Sequence, residues 1–471
     1  MNRRTFTQTL AAAPAILSAQ PRRKPNIVWI MADDMGPGDL GCYGQKYIRT
    51  PNIDKLAAEG MLFTTAYSGG TVCAPARSTL MTGQHNGHTP IRSNPGGVPL
   101  LASEGTVADV LKSAGYATAL CGKWGLGDIG TDGVPWKHGF DQFFGTLHQA
   151  HAHFQYPRFL YENGKEFPLA GNINGARVTY ANDVIANRAV EFIRQNKDKP
   201  FFLYHSPTMP HFEPQVPEDS MAEYRGKFPM GKPWSQPNNR LKAQPDVRTA
   251  YAAMVTRVDT YVGRIMSELR RQGLDQDTIV FFTSDNGATL PEIGEFFFDS
   301  ALGLRGHKGN LYEGGVRAPM LARWPGHVPA GRKSDLQWYF PDFLPTAAEL
   351  AGVRTLPKGI DGMSVLPTLL GQQQKPHEML YWEHPDYNWK TQEFAPGVPM
   401  QAMRRGHMKA VRPRQNGVVE LYDLAADPSE KKDLAGAQPK LAAQFDQWMR
   451  GARTPPRVQK EPPHGWWEAR S

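Results

Sequence analysis

The stretch NIVWIMADDMG, residues 26–36, joins a continuous apolar run to two adjacent carboxylates. An apolar run of this length without polar alternation predicts a strand buried on both faces, as in parallel sheets. The runs YATALC (116–121), FFLYHS (201–206) and TIVFFTS (278–284) have the same form. Because helical patterns lie between these runs, we expect a parallel α/β architecture.

The segments between the strands indicate the wider organisation. One apolar helical face runs from Ile185 to Ile193, and a second runs from Met254 to Leu269. Prolines recur through 212–248, which predicts a long irregular connection of the kind that borders a site. The pattern shortens near residue 370, so we expect a catalytic domain over 25–370 and a small domain over 371–471 that ends in a surface arm.

The chain of 471 residues carries a formal net charge of +8, and its amino terminus supplies much of that excess. MNRRTFTQTLAAAPAILSAQ pairs two arginines with a short apolar run, which resembles a twin-arginine export signal. The alternative is a basic, disordered tail. We therefore expect residues 1–24 to engage the twin-arginine export machinery, and the protein to be periplasmic or secreted. No nucleic-acid partner and no stable membrane anchor are expected.

Oxygen-bearing side chains follow two of the predicted strands. Asp33 and Asp34 come directly after the first, and Asp285 and Asn286 follow the strand at 278–284. The carboxyl ends of parallel strands meet in one crevice, where these groups would repel each other without a cation. An all-oxygen set favours a hard divalent ion, Ca²⁺ or Mg²⁺. Taken singly, either motif is also typical of a turn.

The stretch TVCAPARSTLMTG places Cys73 next to a helix start, because Pro75 suits a first helical turn. Arg77 then lies on the same helical face, and a helix amino terminus with a guanidinium predicts an anion site. Three other interpretations are a buried structural cysteine, a thiolate nucleophile, and half of a disulfide with Cys42 or Cys121. A soft thiolate suits a hard cation poorly, which favours a chemically changed residue at 73.

CAPARSTLMTG resembles the sulfatase signature Cys-x-Pro-x-Arg, in which the cysteine is oxidised to formylglycine. Further resemblances to type I sulfatases of the arylsulfatase family follow in order: NIVWIMADDMG, TPNIDKLAAEG, GYATALCGKWGLG, HGFDQFFG, SDNGA, GHKGNLYEGGVRAPMLARWPG and ELYDLAADPSE. The family belongs to the alkaline phosphatase superfamily. The resemblance implies a large α/β sandwich domain with a mixed, mainly parallel central sheet and a small C-terminal α+β domain.

The resemblance also implies a mechanism. A maturation enzyme would convert Cys73 to formylglycine, whose hydrate would attack sulfur with one hydroxyl and expel sulfate with the other. Asp33, Asp34, Asp285 and Asn286 would bind Ca²⁺ together with the modified residue 73.

The remaining implied roles concern charge and proton transfer. Arg77 would hold the hydrate, while Lys123 and Lys308 would neutralise sulfate oxygens. His211 would protonate or bind the leaving oxygen. Each of these residues taken alone has an ordinary structural interpretation, and the ordered set gives them weight.

One position departs from the family pattern. Many relatives have histidine after GKW, whereas this chain has Gly125, so the base for the collapse of the sulfated hydrate is unassigned. His148, His151 and His153 follow in LHQAHAHFQYPR, and we choose His151 as the replacement.

The expected substrate is a sulfated carbohydrate, with aryl sulfates as artificial substrates. His151, His153, Glu383 and His384 are candidate sugar contacts. The charged run 403–412 either lines the pocket or forms a strand of the small domain. Two other functions remain open: a phosphate or phosphonate ester hydrolase of the same superfamily, and a non-catalytic binding protein for sulfated glycans.

Overall fold

The computed structural model describes residues 24–457, except 95–97, 237–240, 290–292, 294 and 389. Nearly all of the proposed export signal and the end of the surface arm therefore lie outside the described residues. Within the described part of the chain, no helix is both long and apolar enough to cross a membrane.

The strands are β1 Asn26–Ala32, β2 Met61–Phe63, β3 Ala66–Tyr67, β4 Ala117–Lys123, β5 Gln142–Thr146, β6 Phe159–Glu162, β7 Lys165–Pro168, β8 Phe201–Ser206, β9 Thr278–Ser284, β10 Met320–Arg323, β11 Arg332–Ser334, β12 Trp338–Tyr339, β13 Leu380–His384, β14 Tyr387–Asn388, β15 Glu393–Phe394, β16 Met400–Arg405, β17 Met408–Arg412 and β18 Glu420–Asp423. The helices are α1 Pro51–Ala58, α2 Cys73–Thr82, α3 Val107–Ser113, α4 Ala181–Gln195, α5 Glu218–Tyr224, α6 Val247–Arg271, α7 Glu295–Phe298, α8 Glu313–Val316, α9 Phe343–Leu350, α10 Leu366–Leu369 and α11 Pro439–Gly451.

A ten-stranded sheet forms the centre of the large domain, in the order β11-β2-β10-β9-β1-β8-β4-β5-β6-β7. The central strands β9, β1, β8, β4 and β5 are parallel, and antiparallel strands flank them. The four predicted strands are confirmed, with the second shifted to Ala117–Lys123. The predicted mixed, mainly parallel sheet is therefore confirmed as well.

Helices cover both faces of this sheet. In β1, Val28 and Ile30 pack into the core beneath α1, α4 and α6, whereas Ile27 and Trp29 face the core beneath α2, α3 and α9. Because successive side chains of a strand point to opposite faces, a strand between two helical layers must be apolar throughout. This packing explains the unbroken apolar runs in the sequence.

The C-terminal region forms a separate antiparallel sheet in the order β13-β16-β17-β18. Phe445 and Met449 of α11 pack against its side chains Tyr381 and Met403. The charged run 403–412 lies on the hairpin of β16 and β17, which agrees with its interpretation as part of the small domain. The predicted small α+β domain is thus confirmed.

Candidate active site

The carboxyl ends of β1 and β9 bring the acidic motifs together. The two strands pair in parallel with Ala32 opposite Ser284, so Asp33 and Asp285 leave the sheet at the same edge. The backbone N–H of Asp34 donates to Oδ1 of Asp285 at 3.1 Å. Asp34 has a φ of 69°, a left-handed conformation that is uncommon for a residue with a side chain and recurs at functional sites. The strand pairing and this turn at Asp34 therefore bring the two acidic motifs into one cluster.

Each of the three carboxylates faces a cation. Lys123 Nζ lies 2.7 Å from Asp33, Lys308 Nζ lies 2.7 Å from Asp34, and Arg77 Nη2 lies 2.8 Å from Asp285. All six side chains are buried, and the three aspartates are 0% exposed. The three positive charges balance the three negative charges, so an added divalent ion would leave the site positive and suited to an anionic ligand.

Cys73 is the first residue of α2, and its side chain lies inside this cluster. Its Sγ is 3.5 Å from Asp33 Oδ1 and 3.5 Å from Lys308 Nζ. Burial raises the pKa of the thiol well above its ordinary value, although Lys123 and Lys308 oppose the shift. The thiol is therefore neutral near pH 7, which disfavours a thiolate nucleophile. None of the three cysteines forms a disulfide, so the disulfide interpretation is wrong.

Arg77 lies four residues further along α2, as its spacing predicted, and its guanidinium ties several elements together. Nη1 donates to the carbonyl of Lys123 at 2.9 Å and to Ser206 Oγ at 2.6 Å, while Nε and Nη2 both reach Asp285. Neighbouring Tyr204 and Asp285 raise the pKa of Arg77, despite the opposing effect of burial. The guanidinium stays charged and rigidly held beneath Cys73.

The carboxylates respond to these neighbours in opposite directions. Burial raises the pKa of Asp33, but the charges of Lys123, His211 and Arg77 bring it well below its usual value. Burial and the adjacent charge of Asp33 raise the pKa of Asp285 to about 6. A divalent cation close to both groups would favour the ionised form of each.

The four predicted oxygen ligands fit a hard cation. Asp33, Asp34, Asp285 and Asn286 are all 0% exposed. The amide nitrogen of Asn286 donates to Asp34 Oδ1 at 2.8 Å, whereas its Oδ1 is buried and has no hydrogen-bond partner among the described residues. A buried acceptor without a donor is costly, and a cation would satisfy it.

His211 and His153 lie beside Lys308 and Asp34 at the edge of the cluster. Lys308 Nζ lies 2.8 Å from His211 Nε2, and His211 Nδ1 lies 3.0 Å from the carbonyl of Phe212. This network assigns the proton of the neutral ring to Nδ1 and the lone pair to Nε2. Burial, followed by the charge of Lys308, lowers the pKa of His211 to about 4. The His153 ring stacks on His211 with centroids 4.8 Å apart.

The structure does not bring His151 to the cluster. Its Nε2 lies 3.1 Å from the carbonyl of Phe159, and its ring packs against Phe159 and Tyr161. Burial, only partly offset by that hydrogen bond, lowers the pKa of His151 to about 4. The two histidines are two residues apart in a short 3-10 helix, so their rings point to different sides. Of this pair, His153 lies at the site.

Gly125 has a φ of +80°, and a Cβ placed on it would meet Gln149 Nε2 at 2.2 Å. The Gln149 carboxamide therefore occupies the space that a side chain at position 125 would need. His148 lies beside it in sequence and is buried.

Glu383 and His384 lie at the end of β13, where the small domain meets the large one. The Glu383 carboxylate binds Arg453 Nε at 2.6 Å and Arg92 at 3.4 Å, and it is 1% exposed. Its oxygens are therefore engaged by arginines rather than facing the cluster. His384 Nδ1 lies 2.6 Å from the hydroxyl of Thr71, two residues before Cys73.

Two further polar residues of the site, Ser206 and Asn94, were not predicted from the sequence. Ser206 ends β8 and binds Arg77, and it stands at a strand end like Asp33, a signal that could have found it. Asn94 Oδ1 accepts from the backbone N–H of Ala74 at 3.0 Å, at the start of α2. Its partner is distant in sequence, so no local pattern marks Asn94.

Known families and proteins resemble this chain over most of its length. It matches the Sulfatase family over residues 25–353 and the family described as N-sulphoglucosamine sulphohydrolase, C-terminal, over residues 306–452. It is 34% identical to arylsulfatase A of Homo sapiens, over 92% of this chain and 88% of the relative. It is 34% identical to N-acetylgalactosamine-6-sulfatase of Rattus norvegicus, over 76% of this chain and 68% of the relative. The crystal structure of Ps i-CgsB in complex with k-i-k-neocarrahexaose is similar, with a TM-score of 0.77 and 29% identity over 93% of this chain and 95% of that one.

Proposed function

Because the chain belongs to the sulfatase family of the alkaline phosphatase superfamily and is a sulfuric ester hydrolase, we propose that it removes sulfate from a carbohydrate by formylglycine chemistry at residue 73. The observation that carries this proposal is the position of Cys73, buried between three carboxylates and three cations. A neutral thiol there has no evident use, whereas a geminal diol at that place would supply one hydroxyl for attack on sulfur and a second for expulsion of sulfate.

Asp33, Asp34, Asp285 and Asn286 would hold Ca²⁺, with Mg²⁺ as the alternative, and the residue derived from Cys73 would complete the set. The ion would supply Lewis acidity and positive charge next to the reacting group. The unpartnered Oδ1 of Asn286 supports this assignment.

The remaining side chains divide the work of binding and proton transfer. Arg77 fixes the orientation of residue 73, and Lys123 and Lys308 neutralise the sulfate oxygens as charge develops on them. His211 Nε2, which accepts a hydrogen bond from the Lys308 ammonium at 2.8 Å, would bind the leaving oxygen or pass it a proton that comes from Lys308.

We propose His153, instead of His151, as the base that takes up the proton when sulfate is expelled. Its ring stacks on His211. Burial, and then the electrostatic effects of His211, Lys123 and Lys308, keep the pKa of His153 well below its usual value. His153 is therefore neutral and able to accept a proton. His384, beside Thr71, is a proposed contact for the sugar, while the arginine pairing of Glu383 favours a structural role for that residue.

The relatives guide the choice of substrate. One of them is named an N-acetylgalactosamine-6-sulfatase, and another was solved with a neocarrahexaose. We therefore propose a sulfated galactose-type sugar, with aryl sulfates as artificial substrates.

The proposed domains are 25–370 for catalysis and 371–471 for the small domain. Residues 1–24 are proposed to direct export through the twin-arginine machinery, and a formylglycine-generating enzyme is the proposed maturation partner.

The test uses protein from a host that makes formylglycine and compares aryl sulfate with aryl phosphate, followed by sulfate release from N-acetylgalactosamine 6-sulfate and neocarrahexaose. Sulfate turnover lost in Cys73→Ala and kept in the matched control Cys42→Ala supports the proposal. Preferred turnover of phosphate would instead support a phosphate ester hydrolase. Binding of sulfated sugar without sulfate release would support a non-catalytic glycan-binding protein.

A further inference from the structure

We infer that Glu430 of the small domain is a positioning residue, which holds the loop 305–314 so that Lys308 stays at the reaction centre. This inference rests on the proposed function, because it matters only if Lys308 acts on a bound sulfate ester. Glu430, Glu313 and Lys409 are buried charged residues far from Cys73 in sequence, and the mechanism assigns them no role.

Loop 305–314 carries Lys308 into the cluster and is closed upon itself. The N–H of Gly314 donates to the carbonyl of Arg305 at 2.8 Å, which ties the two ends of the loop together. At the tip, the backbone N–H of Lys308 donates to the carbonyl of Ala288 at 2.7 Å, and the backbone N–H of Gly309 donates to the carbonyl of Thr71 at 2.9 Å. The position of the Lys308 ammonium therefore depends on how the loop is anchored, both at its tip and at its two ends.

Glu430 binds both ends of that loop. One carboxylate oxygen accepts from the backbone N–H of Glu313 at 2.6 Å, and the Glu430 carbonyl accepts from Arg305 Nη1 at 2.9 Å. Glu430 is 0% exposed and has a φ of 53°. A buried charge on a left-handed backbone costs stability, so such residues persist where the surroundings hold them and often serve a site.

Lys409 of β17 completes the anchor from the small domain. Its Nζ lies 2.9 Å from Glu430 Oε1 and 2.9 Å from Glu313 Oε1, and it is 0% exposed. The other Glu313 oxygen accepts from the hydroxyl of Tyr67 at 2.7 Å, next to the segment that leads to Cys73. The same buried network thus links the small domain to the loop of Lys308 and to the approach to residue 73.

The alternative is that these charges only hold the two domains together. In that case their loss would lower stability, and any effect on turnover would be independent of Lys308. A double-mutant cycle separates the two possibilities, since residues that act through one another show non-additive effects.

The experiment measures kcat and KM for an aryl sulfate in wild type, Glu430→Ala, Lys308→Met and the double variant, each normalised to its formylglycine content. We expect Glu430→Ala to lower kcat roughly 10- to 100-fold, the range for a displacement of about 1 Å at a reacting group. In the Lys308→Met background the same change should have almost no further effect. Hydrogen exchange in the peptide that covers 305–314 should rise in Glu430→Ala.

The matched control is Asp446→Asn, which breaks a salt bridge of α11 with Arg412 inside the small domain without touching the loop. It should leave kcat unchanged. Independent, multiplicative effects of Glu430→Ala and Lys308→Met, with unchanged exchange in the loop, would overturn the inference. If Glu430→Ala does not fold, Arg305→Met takes its place in the cycle, since Arg305 is 42% exposed on its side chain. Wild-type protein that carries formylglycine yet hydrolyses no sulfate ester would refute the proposed function instead, and the exchange measurement would still decide whether Glu430 holds the loop.

Discussion

Removing one member of the buried ion pair between Arg77 and Asp285 should destabilise the protein more than removing both. Arg77 is 1% exposed and Asp285 is 0% exposed, and two guanidinium nitrogens reach the same carboxylate oxygen at 2.8 and 3.2 Å. Arg77→Met leaves the cluster with three carboxylates and two cations, which is expected to cost about 3–5 kcal/mol. Asp285→Asn should cost a similar amount, because it leaves a buried guanidinium.

The double variant removes both charges, so its free energy of unfolding should exceed the additive expectation by at least about 2 kcal/mol. Urea unfolding followed by tryptophan fluorescence, in the presence of a chelator, measures these values without compensation from a bound ion. The exposed pair of Arg49 and Glu223, at 3.0 Å with 70% and 31% of the side chains exposed, is the matched control. Arg49→Met should cost less than about 1 kcal/mol. Single costs at Arg77 and Asp285 that add within about 0.5 kcal/mol would refute the reasoning.

Three further predictions follow from the surroundings of single residues. His153→Ala should lower kcat by about 10²- to 10⁴-fold, the range for a lost acid–base group, while His151→Ala leaves kcat within a few-fold of wild type; equal losses would contradict the assignment. Gly125→Ala should lower the melting temperature, because its Cβ would meet Gln149 at 2.2 Å at a φ of +80°. Adding Gln149→Ala should restore part of the loss. An unchanged melting temperature in Gly125→Ala would show that the loop moves freely. Burial lowers the pKa of His205 to about 4, below its value of about 6.5 in the unfolded chain. The stability due to the neutral ring should therefore be lost as pH falls from about 6.5 to 4, by roughly 3 kcal/mol. The free energy of unfolding of His205→Gln should depend less on pH over that range than the free energy of unfolding of wild type.

The central sheet could be predicted from the sequence because burial on both faces leaves a pattern that does not depend on distant contacts. The runs at 26–32, 201–206 and 278–284 have the bounds of β1, β8 and β9. The antiparallel outer strands and the order of the sheet could not be read in this way. The strand β10, for example, pairs with β9 and β2 from positions far along the chain, and pairing between distant segments has no local signature.

The clustering of the acidic side chains could be predicted for the same reason, since Asp33 and Asp285 each follow a strand whose end was recognisable. The histidines were harder, because their roles depend on which way a ring turns within a short 3-10 helix. His151 and His153 have similar sequence surroundings, yet one ring packs on Phe159 and the other on His211. Ion pairs between the domains, such as that of Lys409 with Glu313, depend entirely on tertiary packing and could not be predicted from the sequence.

The state of residue 73 tests the account most directly. Trypsin should release a peptide that ends at Arg77, and mass spectrometry with aldehyde trapping should find formylglycine at position 73 in protein from a host with a maturation enzyme. Release of sulfate from a sulfated sugar should then scale with the fraction of aldehyde. An intact thiol at 73, from a host that demonstrably modifies another sulfatase, would contradict the account and favour a protein that binds sulfated sugars without cleaving them.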